Sequence, residues 1–353
     1  MTVRIGARDV GPAHPAFIIA EISANHNGDL DRALDCIHAA AEAGADAVKF
    51  QTYTPDTITI DAAGPDFVIP PGGPWGGKTL YQLYGEAHTP WDWHGKLFEA
   101  ARSRGLVAFS TPFDASAVRL LESLHAPAYK IASFELVDDG LLAAVAETGK
   151  PVLLSTGMAS LEEIDHAVRT LRGAGAGGII VLRCTSSYPA PDSSMNLATI
   201  PALASVLECP VGLSDHSLGV TAAVVAVTLG ACVVEKHLTL SRADGGVDAH
   251  FSLEPDEFRQ MVAEVRRAEA MRGRVSFGPG VAEKGNKVFR RSLYVVKDVA
   301  EGEPFTPDNV RSIRPGFGLA PRFLEVVIGK RATKALPRGT ALQWEHIGGP
   351  ENG

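Results

Sequence analysis

Short runs of apolar, largely β-branched residues recur along the chain, and most are followed by a stretch with helical spacing. Eight runs stand out: FIIAEIS, AVKFQ, VAFST, AYKIAS, VLLST, IIVLRCTS, VGLSDHS and CVVEKHL. Between them, LDRALDCIHAAAEAGA, SAVRLLESLHA and LEEIDHAVRTLRGAG carry apolar residues three and four apart, and Gly44 marks a stop in the first. Near-continuous apolar strands alternating with helices predict a parallel sheet covered on both faces. At this length the expected α/β fold is a closed (β/α)8 TIM barrel. An open doubly wound sheet is the alternative, weakened because no GxGxxG follows the first strand. The apolar stretch from Leu213 to Leu238 raises the question of a membrane span, but Gly230 interrupts it, and helix, glycine, strand is the better reading.

Residues 61–94, DAAGPDFVIPPGGPWGGKTLYQLYGEAHTPWDWH, break the rhythm. Rich in Gly, Pro and aromatic residues, they read as a long functional loop on the barrel rim. After the last helical pattern, PDEFRQMVAEVRRAEAM, comes a polar, glycine-rich linker, and from Arg290 short strands and turns take over. The expected organisation is a barrel over 1–275, a linker over 276–289 and a compact second domain over 290–353. That domain has few large apolar residues, so it is expected to lean on the barrel or on another subunit.

Composition changes this picture little. The 353 residues are 45% hydrophobic and 21% charged, an ordinary globular balance. A net charge of -8 argues against a general nucleic-acid or anionic-membrane binder, so an anionic substrate needs a local positive site. The start, MTVRIGARDV, has no apolar signal core, and a cytoplasmic protein is expected. Cys36, Cys184, Cys209 and Cys232 form no CxxC pair and read as buried, reduced thiols.

The chemistry lies at the ends of the predicted strands, where βα loops converge in such barrels. In chain order these ends carry Glu21; Lys49 and Gln51; Thr111; Lys130, Ser133 and Glu135; Ser155; the CTSSYP run; Ser214, Asp215 and His216; and Glu235, Lys236 and His237. Each alone has a plain structural explanation, as a snorkelling lysine, a hydrogen-bonded histidine or a turn hydroxyl. Together they need a common one, because unpaired ions in buried strands are costly. A small polyanion supplies it. Lys49 and Lys130 pair its charges, and Thr111, Ser133, Ser155 and Ser214 take its oxygens. His216 and His237, on neighbouring strands, can share an exchangeable divalent ion of the Mn²⁺ kind, with water and substrate filling the other positions.

The ordered motifs IAEISANHNG, ADAVKFQTY, FSTPFD, YKIASFE, STGM, CTSSYPAP, GLSDHSLG, EKHLTL and RPGFG resemble the sialic acid synthase family over nearly the whole chain, and GGKTLYQLYGEAHTPWDWH is most similar to its pseudaminic acid branch. The resemblance implies a barrel followed by an antifreeze-like (SAF, β-clip) domain, and a metal-dependent condensation of phosphoenolpyruvate with an N-acetylated amino sugar. By motif match, Lys49, Thr111, Lys130, Ser133, Ser155, Ser186 and Ser214 bind phosphoenolpyruvate; relatives often carry asparagine where Ser186 stands. His216 and His237 hold the metal, Mn²⁺ first and Mg²⁺ or Co²⁺ as alternatives, with His237 also counted as catalytic. Glu21 and Glu135 are the catalytic carboxylates, and Gln51, Tyr188 and Asp248 face the sugar. Arg314, from the partner's second domain, reaches the sugar in a domain-swapped homodimer. Trp75, Tyr81, Tyr84, Trp91 and Trp93 are candidates for apolar contact to the sugar. N-acetylneuraminate or legionaminate synthesis, a Schiff-base aldolase using Lys130 or Lys49, and a non-catalytic carbohydrate- or ice-binding protein stand as alternatives.

Overall fold

The computed structural model describes residues 1–71, 73 and 75–349; the final four residues of the expected 290–353 domain lie outside them. The chain forms two compact units, Met1–Gly273 and Arg274–Gly353.

The first unit opens with an antiparallel hairpin of β1 (Val3–Ile5) and β2 (Arg8–Val10). Eight parallel strands follow: β3 (Phe17–Glu21), β4 (Ala47–Thr52), β5 (Val107–Pro112), β6 (Tyr129–Ile131), β7 (Pro151–Ser155), β8 (Gly178–Cys184), β9 (Val211–Asp215) and β10 (Val233–His237). They close into a barrel in sequence order, with β10 pairing back onto β3. Each predicted apolar run is one of these strands. The expected helices form between them, for example Leu30–Glu42, which is capped by the Asp29 carboxylate and followed by Gly44 at φ +88°.

Two apolar layers hold the barrel. The outer one buries helix faces against the strands, with Ile18, Val48, Phe98, Leu121, Leu142 and Phe258 among its members. The inner one fills the lumen with Phe17, Ile19, Phe109, Leu153, Ile180 and Leu182. Val3, Ile5 and Val10 of the hairpin join this inner cluster at the N-terminal ends of the strands and plug that end. Val3 sits so close to Gly178 that a Cβ there would meet its Cγ1 at 2.9 Å, so glycine is required at the start of β8.

Residues 61–94 are not simply a loop. Leu80–Ala87 is a helix whose Thr79 cap and Gln82 form a reciprocal capping box, and Trp91–Trp93 is one turn leading into the helix His94–Ser103. Among the described residues no helix is long and apolar enough to cross a membrane; the 213–238 stretch is the end of β9, the helix Thr221–Thr228 and β10.

The second unit pairs β11 (Ser292–Val295) with β12 (Val310–Ile313) and otherwise uses bridges and turns. Few as its large apolar residues are, this unit has a core. Leu293, Val295, Phe305, Val310, Val327 and Leu342 form a small cluster of their own, built from medium-sized side chains that composition alone undercounts. Val275, Phe277 and Val281, before β11, are 89%, 94% and 87% exposed, so the apolar surface in need of a partner lies in that lead-in segment.

Candidate active site

Strand register decides which ions meet. His237, Glu21 and Lys49 stand side by side across β10, β3 and β4, and Glu235, Ser214 and Cys184 do so across β10, β9 and β8. Alternation turns Lys236 and Asp215 to the other face. There they form a 2.7 Å ion pair with both side chains 0% exposed, a structural tie outside the cavity.

The inward set surrounds a cavity of about 540 Å³. Lys49 lies 2.5 Å from Glu21 Oε2 and 3.8 Å from Glu235, and donates to Thr111 Oγ1 at 3.0 Å. Lys130 is 3.5 Å from Glu235, which also accepts from the Ser214 hydroxyl at 3.1 Å. Gln51 donates to Glu21 Oε1 at 3.1 Å. The sequence brings both lysines forward for an anion; the structure adds that two carboxylates already share them. Glu235 is the residue left without a role by sequence reasoning, although its place beside His237 in EKH was the available signal.

Burial governs the titration of these groups. It raises Glu21, helped by the Glu235 charge and opposed by Lys49. It works against the Lys49 ammonium, but Glu21 and Glu235 outweigh it and the net shift is upward. It holds Lys130 below the ordinary lysine value, with Glu235 opposing. It lifts Glu135 to about 7, against the pull of Lys130.

The anion-side hydroxyls converge. Ser133 accepts from the Gly157 N–H at 3.0 Å. A Cβ on Gly157 would lie 2.0 Å from Ser186 Oγ and 2.8 Å from Ser133 Oγ, so only glycine admits both. Ser186 Oγ lies 3.7 Å from Cys184 Sγ and is not part of the cavity wall, whereas Ser133 and Ser155 line it.

His216 and His237 come together, with ring centroids 5.3 Å apart. His216 Nδ1 lies 3.3 Å from the Thr185 carbonyl oxygen and 3.7 Å from Cys184 Sγ. A proton on that nitrogen leaves Nε2 with its lone pair free. Burial keeps His237 well below the usual imidazole value, and its Nδ1 is buried without a hydrogen-bond partner. Asp248, raised by burial and accepting from the Ser23 hydroxyl, is 3.9 Å from that nitrogen. Two imidazoles with an orphaned donor atom between them fit an open divalent site; among the described residues no group of three His, Cys, Asp or Glu makes a closed one. The Tyr188 ring packs at a tilt against His216, with centroids 4.6 Å apart.

Leaving aside Glu21 Oε2, which Lys49 ion-pairs at 2.5 Å, eight buried side-chain polar atoms have no hydrogen-bond partner among the described residues, and four of them belong to this cavity: Glu135 Oε2, Ser155 Oγ, Glu235 Oε2 and His237 Nδ1. Buried polar groups are nearly always satisfied, so such a concentration marks a place built for a ligand. A neighbouring hollow of about 610 Å³, lined by Asn27, Lys78, Glu86 and His250, shares Trp75 but none of the strand-end ions.

Of the aromatic candidates, Trp75 and Tyr84 line the main cavity. Tyr81, Trp91 and Trp93 do not: Tyr81 donates to Asp56, and Trp93 packs edge-on against His26 at 5.5 Å over the outer core. Arg314 lies in the second unit, exposed, directly after β12. All four cysteines are buried and free.

The NeuB family model matches residues 36–276, and the SAF domain model matches residues 290–348. The chain is 45% identical over 327 residues to a pseudaminic acid synthase of Campylobacter jejuni, covering 93% of this chain and 95% of that protein. It is 40% identical over 335 residues to the pseudaminic acid synthase of Helicobacter pylori, covering 94% and 98%. Among solved structures it resembles the N-acetylneuraminic acid (sialic acid) synthetase of Leptospira borgpetersenii, with 33% identity and a TM-score of 0.73 over 81% of this chain and 95% of that one.

Proposed function

The chain belongs to the NeuB family, and from that premise we propose that it is a transferase that condenses phosphoenolpyruvate with 2,4-diacetamido-2,4,6-trideoxy-L-altrose and water, giving pseudaminic acid and phosphate. The observation that carries the reading is the convergence of Lys49, Lys130 and four buried polar atoms without a hydrogen-bond partner on one cavity at the C-terminal strand ends. The 40–45% identity to pseudaminic acid synthases supports the choice of sugar.

In this reading Lys49 and Lys130 hold the phosphate and carboxylate of phosphoenolpyruvate, with Thr111, Ser133, Ser155 and Ser214 completing the cradle and Ser186 set off the wall beside Cys184. Gln51, Tyr188 and Asp248 orient the sugar, joined by Arg314 of a second copy. His216 and His237 would hold a divalent ion, Mn²⁺ before Mg²⁺ or Co²⁺, which would supply Lewis-acid polarisation of a carbonyl oxygen. C3 of phosphoenolpyruvate attacks the aldehyde carbon, and Glu135 gives its proton to the oxygen that becomes a hydroxyl. Water adds at the cationic C2 as the Glu21 carboxylate takes its proton. The C2–O bond to phosphate then breaks as the new C2 hydroxyl passes its proton to the departing phosphate, leaving the 2-keto acid.

Because Glu135 acts in its protonated form with a value of about 7, turnover should fall as pH rises through neutrality. Glu135→Gln should erase that limb of the kcat profile; an unchanged limb would move the acid role elsewhere.

The test of the reaction is product analysis by mass spectrometry with phosphate release, offering either the diacetamido-trideoxy sugar or N-acetylmannosamine. Condensation of the latter alone would turn the reading to N-acetylneuraminate synthesis. The low value of Lys130 favours one rival, a Schiff-base aldolase. Borohydride trapping with a keto acid should leave Lys130 unmodified if the transferase reading holds. The exposed Val275, Phe277 and Val281 support a homodimer, and a monomeric mass by light scattering would remove it. A cytoplasmic location belongs to the same reading and is checked by cell fractionation.

A further inference from the structure

Strand ends and the loops after them supply the ions and hydroxyls of the main cavity, together with Phe113, Phe134 and Phe251, whereas the segment between β4 and the helix His94–Ser103 contributes Ile58, Ile69, Leu80, Leu83, Tyr84 and Trp75. The charged residues of that segment point elsewhere; Lys78 and Glu86, for instance, pair with each other beside the neighbouring hollow. In the helix Leu80–Ala87, positions 80, 83, 84 and 87 all face the cavity, one apolar stripe at helical spacing. Such a stripe usually covers a core. Here it faces a cavity floored with carboxylates and ammonium groups.

This wall is held in shape before any ligand arrives. Ile69 and Lys78 are tied by a 2.9 Å backbone hydrogen bond, Gly77 N–H returns to Ile69 O at 3.0 Å, and Val68 bridges Thr79. The Trp75 indole N–H donates to Val247 O at 2.9 Å, which fastens the segment to the loop after β10. Tyr84 meets Tyr53 edge-on at 5.7 Å, and Tyr53 meets Phe113 at 5.0 Å. With the indole N–H already used, the phenols of Tyr53 and Tyr84 are the only polar side-chain groups that the described residues between 53 and 87 offer to this cavity.

We infer that residues 58–87 are the specificity element of the site: their aliphatic wall takes the face of the sugar that lacks hydroxyls, its methyl carbon and N-acyl methyls, and rejects a counterpart hydroxylated at C6. This rests on the condensation reading and assigns the sugar selection to named residues. The physical basis is asymmetric. A hydroxyl placed against Ile58, Ile69 and Leu80 loses its water and finds no partner, whereas a methyl group fills the same space.

The test is kcat/KM for the 6-deoxy diacetamido sugar and its 6-hydroxy counterpart, measured on the full chain with Leu80→Gln and, separately, Ile58→Thr. Both positions are partly exposed, and Gln is at home in a first helical turn. Each variant should shift the ratio of the two kcat/KM values toward the hydroxylated sugar by about tenfold or more, with the KM for phosphoenolpyruvate unmoved. An equal fall for both sugars, or an unaltered ratio in both variants, overturns the inference alone. If the parent protein condenses neither sugar, the reaction reading fails and takes this assignment with it.

Discussion

Lys49→Met is expected to abolish turnover and to destabilise the fold as well. The ammonium sits 2.5 Å from Glu21 and 3.8 Å from Glu235, and the side chain is only 4% exposed. Its removal leaves two buried carboxylates with Lys130 as their remaining counter-charge. Breaking a buried pair in this way costs about 3–5 kcal/mol, most of it the penalty of the abandoned charge. The loss of a buried charged contact to the anion adds a fall in kcat/KM of about a thousandfold or more, since each 1.4 kcal/mol is tenfold. Denaturant unfolding separates the two effects when Lys49→Met is combined with Glu21→Gln. The double variant should regain most of the stability, because the orphaned carboxylate is now neutral, and none of the phosphate release. Recovery of both would make Lys49 a structural counter-ion and would also take the water-activating role from Glu21; Glu21→Gln alone serves as the activity control.

The second large effect belongs to the histidine pair. His237→Gln should weaken divalent-ion binding by more than about 100-fold, since changes to the outer partners of metal ligands alone cost about 10–100-fold. With only two imidazoles in the set, one loss leaves no chelate. Titration of free Mn²⁺ by electron paramagnetic resonance reads this without turnover, and circular dichroism checks the fold. Chelator treatment of the parent protein should likewise stop phosphate release while leaving the spectrum intact. Tight Mn²⁺ binding by both His237→Gln and His216→Gln would place the metal elsewhere.

The barrel was legible because its signal is local. Eight β-branched runs, each a few residues long, fall on eight strands, and the ions at their ends could be read by eye. Proximity to the mouth was legible too, since adjoining parallel strands bring their ends together whatever the side chains. Partnership was not. That Lys49 is shared by Glu21 and Glu235 depends on register across three strands, and that Lys236 turns away to Asp215 depends on parity within β10. Ser186 reads like its neighbours in CTSSYP, yet it stands off the cavity wall beside Cys184, in room left by the missing side chain of Gly157, nearly thirty residues earlier. The Thr79–Gln82 capping box that starts the rim helix was visible in TLYQ, but the surrounding Gly and Pro masked it. Trp91 and Trp93 look like sugar-stacking residues in sequence; only the fold puts Trp93 on the outer core.

The hairpin plug gives the barrel a single door. With Val3, Ile5 and Val10 sealing the far end, whatever reaches the lysines must pass the rim first, and whatever leaves must return the same way. The smaller reactant belongs to the deeper berth, so the larger one, once seated, corks it in. Traffic should therefore run as a strict queue: phosphoenolpyruvate arrives ahead of the sugar, and phosphate departs last. Product inhibition patterns would reveal it, with phosphate competing against phosphoenolpyruvate alone; random patterns would mean the cork leaks.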